Sequence, residues 1–200
     1  MAVHTHPRTG NLPRVFEGRT ARVYDVVARR LVRRLYRRIA EDIVDIAPDN
    51  GTVLDVGTGP GVLLVEIARR RTDLGLTGLD LSADMITAAR KNLREHGDRA
   101  EAVVGDATDL PFEDDSFDLV VTSLSTHHWD EPRAAVPEIA RVLRPGGRFA
   151  IYDFTFAPYG EIDGAADDAP AFAGRPRRHD RISTGVPFFP PICRHVLLTV

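Results

Sequence analysis

The chain has 200 residues, 43% hydrophobic and 28% charged, with a formal net charge of −3 at pH 7. This length suits one domain with its own core, and no apolar run approaches the roughly 18 residues of a membrane span, so stable membrane insertion is not expected. The lone cysteine, Cys193, cannot form an internal bridge, and the first ten residues lack the apolar centre of a secretory signal, so the expected compartment is the cytoplasm.

Residues 1–13, with Pro7, Gly10 and Pro13, read as a flexible tail, and 14–200 as a single domain. From about Glu17 to Ala47 the apolar residues Val23, Val27, Leu31, Leu35, Ile39, Ile43 and Ile46 recur at steps of three and four, which predicts an amphipathic helix ended by Pro48. This is the N-terminal helical region, 14–48. Between its apolar positions lie Arg29-Arg30, Arg33-Arg34 and Arg37-Arg38. They form either a basic strip for an acidic partner or a solvated face whose aliphatic stems cover the core.

Beyond this helix the chain alternates in the manner of a parallel sheet. Strands are expected near 52–56, 75–80, 100–105, 117–123 and 147–154, with helices near 60–71, 82–96 and 132–143, and Ser82 as the N-cap of the second. This central part, 52–155, is the core. The remainder, 156–200, is broken by Pro158, Pro170, Pro176, Pro187, Pro190 and Pro191, with a short helix expected at 161–173.

The most informative segment is Val53-Leu-Asp55-Val-Gly57-Thr58-Gly59-Pro60-Gly61, a hydrophobic strand running into a glycine-rich turn. Such a turn lies at the carboxyl end of a parallel sheet, beside the crevice where ligands bind. Its glycines permit positive φ and close backbone approach, and Pro60 suits the first helical position. Asp55 would repel a phosphate, so a zwitterionic or cationic ligand fits better. Asp80 ends the second strand about twenty residues on, where doubly wound folds place the acid that holds ribose hydroxyls. The alternative is the boundary acid of the helix after Ser82, but the position after the second strand favours ribose binding.

The order Asp-x-Gly-x-Gly-x-Gly resembles motif I of the class I S-adenosylmethionine-dependent methyltransferases, and the resemblance continues through Asp80, Gly105-Asp106-Ala107, Phe117 to Ser123, and Arg141-Val-Leu-Arg-Pro-Gly-Gly147. It spans about Val53 to Asp153 and is strongest to the ubiquinone/menaquinone-biosynthesis-like branch. It implies an α/β, Rossmann-like doubly wound sheet of seven strands in the order 3-2-1-4-5-7-6, the last antiparallel, with an N-terminal helical extension. Residues 177–184 and 194–200 are the candidates for the terminal pair. The implied cofactor is S-adenosyl-L-methionine, with Asp55, Gly57, Thr58, Gly59, Asp80, Leu81, Asp106, Ala107 and Ser123 as its contacts. In that family the Gly-Asp-Ala acid accepts from the adenine amino group, although Asp109 is a near neighbour of similar chemistry. Met85 is either a pocket residue or core.

The implied partner is a small-molecule methyl acceptor, attacked at oxygen, carbon or nitrogen. The mixed charge pattern is not that of a nucleic-acid binder. At the carboxyl end of the fourth strand stands Ser123-Leu-Ser-Thr-His127-His128-Trp129-Asp130. Either histidine could serve as general base, or the pair could shape the cofactor pocket. No metal is expected, because adjacent histidines rarely reach one ion and no second ligand group with recognisable spacing accompanies them. Trp129 is a packing or acceptor-side residue, and Tyr24 sits where the family's Tyr-Asp element approaches the active-site mouth. Tyr152 and Asp153 close the fifth strand. Two other readings stand beside this one, a methyltransferase-like binding module without turnover and an NAD(P)-dependent oxidoreductase. The latter's fingerprint puts its last glycine three residues after the second, whereas Gly61 follows Gly59 by two.

Overall fold

The computed structural model describes residues 19–183 and 190–200, with side chains described from residue 32 onward. The expected tail at 1–13 and the side chain of Tyr24 lie outside this set.

Seven strands form one sheet, β1 (Thr52–Val56), β2 (Gly75–Asp80), β3 (Ala100–Val104), β4 (Phe117–Ser123), β5 (Leu143–Phe154), β6 (Arg178–Ile182) and β7 (Ile192–Leu198), in the order β3-β2-β1-β4-β5-β7-β6. The first five pair in parallel, while β7 lies antiparallel between β5 and β6. Val53 to Val56 are all buried, because a central parallel strand is covered on both faces and has no solvent side. From β1 the chain winds outward through β2 and β3, then returns to lay β4 on the other side of β1. That reversal opens a crevice at the carboxyl ends of β1 and β4.

Two helical layers cover the sheet. On one face α1 (Arg19–Ile46), α2 (Val62–Ala68) and α3 (Ala83–Leu93) pack through Leu35, Ile39, Ile43, Leu63, Ile67 and Ile86. On the other, α4 (Pro132–Val142) and α5 (Tyr159–Asp168) contribute Val136, Ile139, Val142 and Ile162. Leu35, Ile39 and Ile43 are fully buried, each contributing about 1.5–3 kcal/mol relative to exposure. Polar contacts pin α1 in place. The Tyr152 hydroxyl donates to Asp42 Oδ2 at 2.6 Å, Arg148 Nη1 donates to the Ile46 carbonyl at 2.8 Å, and Arg194 pairs with Asp42.

Three arginines of the strip, Arg33, Arg37 and Arg38, engage nearby carboxylates while their side chains stay exposed. Arg33 donates to the buried carboxylate of Glu66 at 3.0 Å, Arg37 lies 3.7 Å from the same group, and Arg38 pairs with Glu41 at 3.3 Å.

The boundaries differ from expectation in a few places, each for a local reason. Gly61 takes a left-handed conformation (φ 75°) as N-cap of α2, so that helix begins at Val62 and Pro60 lies in the turn, not at the first helical position. After α3 the chain continues as a 3-10 segment, Arg94–Arg99, broken at Gly97 (φ 63°). The expected helix at 161–173 is α5, which ends at Asp168, before Pro170. Ser82 is the N-cap of α3, its side chain accepting from the Met85 amide. Among the described residues no helix is long and apolar enough to cross a membrane.

Candidate active site

The glycine turn is stitched to the end of β2. The amides of Gly57 and Thr58 donate to the Leu79 carbonyl at 2.8 and 2.9 Å, and the Gly59 amide donates to Asp80 Oδ2 at 2.8 Å. Asp80 Oδ1 accepts from the Ser82 amide at 2.9 Å, so one carboxylate ties the turn to the start of α3. Gly57 and Gly59 both have positive φ, 74° and 54°, but for different surroundings. A Cβ on Gly57 would lie 1.9 Å from Ser125 Oγ, whereas one on Gly59 would meet nothing within 4 Å. The open side of Gly59 faces a cavity of about 810 Å³ in the crevice between the ends of β1 and β4.

The cavity wall carries the carboxylates of Asp80, Asp106, Asp130 and Glu131, and none of the described residues lining it is Lys or Arg. Asp106 Oδ1 accepts from the amide and the hydroxyl of Thr108, both at 2.9 Å, and these bonds hold its carboxyl below the usual range, keeping it ionised. Behind the wall sits Asp55, fully buried. Its Oδ2 accepts from the Thr58 hydroxyl at 2.8 Å, while Oδ1 has no partner among the described residues. Burial pushes its pKa up to about 7, against the Thr58 hydrogen bond and with a further push from Asp80.

Tyr36, on α1, lines the same cavity. Burial first, then the nearby Asp55 charge, push its phenol up to about 12, so it stays neutral. Past Ser123 the backbone turns at Leu124 (φ 50°) into a 3-10 turn, Thr126–His128. Trp129 folds back over it, Nε1 donating to Ser125 Oγ at 3.1 Å, and with His128 it walls the cavity. His127 is turned the other way. Its Nδ1 lies 2.7 Å from Oδ1 of Asp153, which is itself fully buried and accepts from the Thr126 hydroxyl at 2.5 Å and the Phe154 amide at 2.8 Å.

The family described as "Methyltransferase domain" matches residues 54–151, which contain every described lining residue of the cavity except Tyr36. The ubiquinone/menaquinone biosynthesis C-methyltransferase UbiE of Hahella chejuensis is 32% identical over 173 residues, covering 80% of this chain and 69% of that protein. The chain belongs to the class I S-adenosylmethionine-dependent methyltransferases. The UbiE of Geotalea daltonii is 34% identical over 138 residues, 66% of this chain and 58% of its own length. Against several curated relatives this methyltransferase chain spans between 45% and 60% of their length. Among solved structures, the geranyl diphosphate C-methyltransferase of Streptomyces coelicolor shares the fold, with a TM-score of 0.67, 18% identity and coverage of 82% of this chain and 76% of that one.

The residues present suit the methyltransferase cofactor on physical grounds. The open face of Gly59, an acid-lined wall and the unpartnered Asp55 Oδ1 together favour a flat, polar ligand carrying positive charge. Of the sequence candidates, Gly57, Thr58, Gly59, Asp80, Leu81, Asp106, Ala107, Ser123, His128 and Trp129 line the cavity. Asp109 is not among its lining residues, and Met85, 44% exposed, is a lip residue and not core. Asp55 does not line the cavity; it lies behind the wall, joined to the lining residue Thr58 by the hydroxyl bond. Tyr152 points to α1 and not to the crevice. Sequence reasoning missed Tyr36. Its signal was available, because Tyr36 follows the apolar Leu35 on a helix whose neighbouring turn packs on the sheet, but Tyr24 carried the closer family likeness.

Proposed function

We propose that the chain binds S-adenosylmethionine in the acid-lined cavity and transfers its methyl group to a small-molecule acceptor at oxygen, carbon or nitrogen. The observation that carries this is the cavity itself, floored by the open face of Gly59 and edged by Asp80 and Asp106 with no Lys or Arg among its described lining residues. When bound, the cofactor supplies an electrophilic methyl group on a positively charged sulfur. The chain's part is to bind and align. Asp80 accepts from ribose hydroxyls while keeping its bonds to Gly59 and Ser82, and Asp106 accepts from the adenine amino group. Asp55 provides the negative field for the ammonium end. Tyr36, His128 and Trp129 wall the acceptor end and exclude water, which matters because in-line methyl transfer depends mostly on alignment and desolvation.

Several observations support the finer parts of this reading. The named relatives act in ubiquinone and menaquinone biosynthesis, in keeping with a small ring-bearing acceptor rather than a nucleic acid. The single buried cysteine accords with a cytoplasmic location. A nicotinamide dinucleotide is disfavoured, since its pyrophosphate would face four carboxylates with no Lys or Arg among the described lining residues.

Calorimetric titration of the full chain with S-adenosylmethionine and S-adenosylhomocysteine, with NADH as control, tests the reading. Both sulfur nucleotides should bind saturably and NADH should not. Asp80→Ala and Asp106→Ala should each weaken binding, and unchanged affinity in both would remove the site assignment. A module without turnover would bind the cofactor yet accumulate no S-adenosylhomocysteine with any phenol, quinol or amine offered.

A further inference from the structure

A second recess opens where α1, α2 and the end of α3 meet. Its volume is about 930 Å³, and none of its described lining residues lines the cofactor cavity. That volume falls within the roughly 300–1,000 Å³ of small-molecule sites. The floor is apolar and incompletely covered. Val32, on α1, is 37% exposed, and Val62 and Val65, in the first turn of α2, are only partly buried.

The rim carries Arg33, Arg69, Lys91 and Arg94 against two acids, Glu66 and Glu95. Both acids are already engaged. Glu66 is buried and accepts from Arg33 Nε at 3.0 Å and from Arg70 Nη1 at 2.9 Å, with Arg37 at 3.7 Å. Glu95 accepts from Arg69 Nη2 at 3.2 Å. Lys91 and Arg94 are both exposed and have no carboxylate partner among the described residues. A cation in the last turn of α3 answers the helix dipole. That accounts for a positive charge there, but not for three partly exposed valines beside it. An apolar floor under unpaired cations complements a ligand with an apolar body and an anionic end. A bilayer surface would meet side chains that project from the helices, whereas these valines lie in a recess that a single chain can enter.

We propose that this recess is a second ligand site, separate from the cofactor cavity, for a single-chain amphiphile with an anionic head. The acyl chain lies on Val32, Val62 and Val65, and Lys91 and Arg94 meet the head group. This goes beyond the cofactor reading and does not depend on it.

The test is calorimetric titration of the full chain with dodecanoate at neutral pH, kept below the concentration at which it forms micelles. One saturable site should appear. Dodecyltrimethylammonium has the same chain and the opposite charge, and butanoate the same head and little chain, so each should bind about tenfold more weakly or worse. Lys91→Gln combined with Arg94→Gln should weaken dodecanoate about tenfold. Val32→Asp, at an exposed position that leaves the core intact, should do the same by placing a charge on the floor. S-adenosylhomocysteine should not displace dodecanoate. Binding that does not saturate, that the cationic analogue matches, that survives in both variants or that S-adenosylhomocysteine displaces overturns the proposal. So does binding to phosphatidylglycerol vesicles with none to free dodecanoate, which would make this face a membrane contact. Failure of the wild type to bind S-adenosylhomocysteine would remove the cofactor reading and leave this site standing.

Discussion

Asp80 Oδ2 accepts a hydrogen bond from the Gly59 amide at 2.8 Å, so the acid at the end of β2 holds the glycine turn at the end of β1. Both residues line the cavity, which means that the group assigned to a ligand also shapes the floor on which the ligand would lie.

Asp80→Ala should therefore have two effects. Losing the bonds to Gly59 and Ser82 should lower stability by about 1–2 kcal/mol, seen as a lower midpoint in thermal or urea unfolding. Losing the carboxylate should also weaken S-adenosylhomocysteine at least tenfold. Asp80→Asn can still accept one of the two amide bonds, so it should recover part of the stability without recovering the affinity. Equal recovery of both would mean that Asp80 is a structural tie only.

The two glycines separate fold from function. Gly57→Ala puts a Cβ 1.9 Å from Ser125 Oγ at positive φ, and should cost several kcal/mol or prevent folding. Gly59→Ala meets no atom within 4 Å, so its cost is the left-handed backbone alone, about 1 kcal/mol. Its methyl would nonetheless occupy the ligand's side of the turn. A folded Gly59→Ala protein that no longer binds S-adenosylhomocysteine is the expected result, and undiminished binding would place the ligand elsewhere.

Much of this arrangement was legible in the sequence because local chemistry determines it. The turn glycines, Ser82 as a cap and the strand pattern from Val53 to Ser123 each announce their conformation through residues next to one another. What was not legible depends on distance. Tyr36 reaches the cavity, and Asp153 reaches His127, only because α1 and β5 are brought there by the sheet order, and neither pairing leaves a mark in spacing. The burial of Asp55 was hidden for the same reason, since a carboxylate two residues before a glycine reads as exposed until the strands on either side, through Gly78 and Val121, are in place.

Tyr152 shows how α1 is held. Its ring is fully buried and its hydroxyl donates to Asp42 at 2.6 Å; burial first, then the Asp42 charge and hydrogen bond, push the phenol well above its ordinary range. Tyr152→Phe keeps the ring and removes the bond, and should cost about 1–3 kcal/mol because the acceptor is charged. Arg194 still pairs with Asp42, so the helix should stay docked. The check is urea unfolding, with S-adenosylhomocysteine affinity measured in parallel and expected to change little.

Asp55 gives the most direct pH test. Its carboxyl ionises near its ordinary value of 3.8 when unfolded and is pushed up to about 7 when folded, chiefly by burial. The folded chain thus keeps a proton that the unfolded chain releases. The stability from this group is full below about pH 4 and is lost as pH rises through about 7, a change of a few kcal/mol. Asp55→Asn should flatten that part of the stability profile. Ligand binding should reverse the effect, since a cationic ammonium near Asp55 favours the ionised form. Calorimetry with S-adenosylhomocysteine near pH 6, in two buffers of different ionisation enthalpy, should therefore report release of up to one proton, absent in Asp55→Asn. Proton uptake, or the same release in the variant, would separate Asp55 from the ligand's charge.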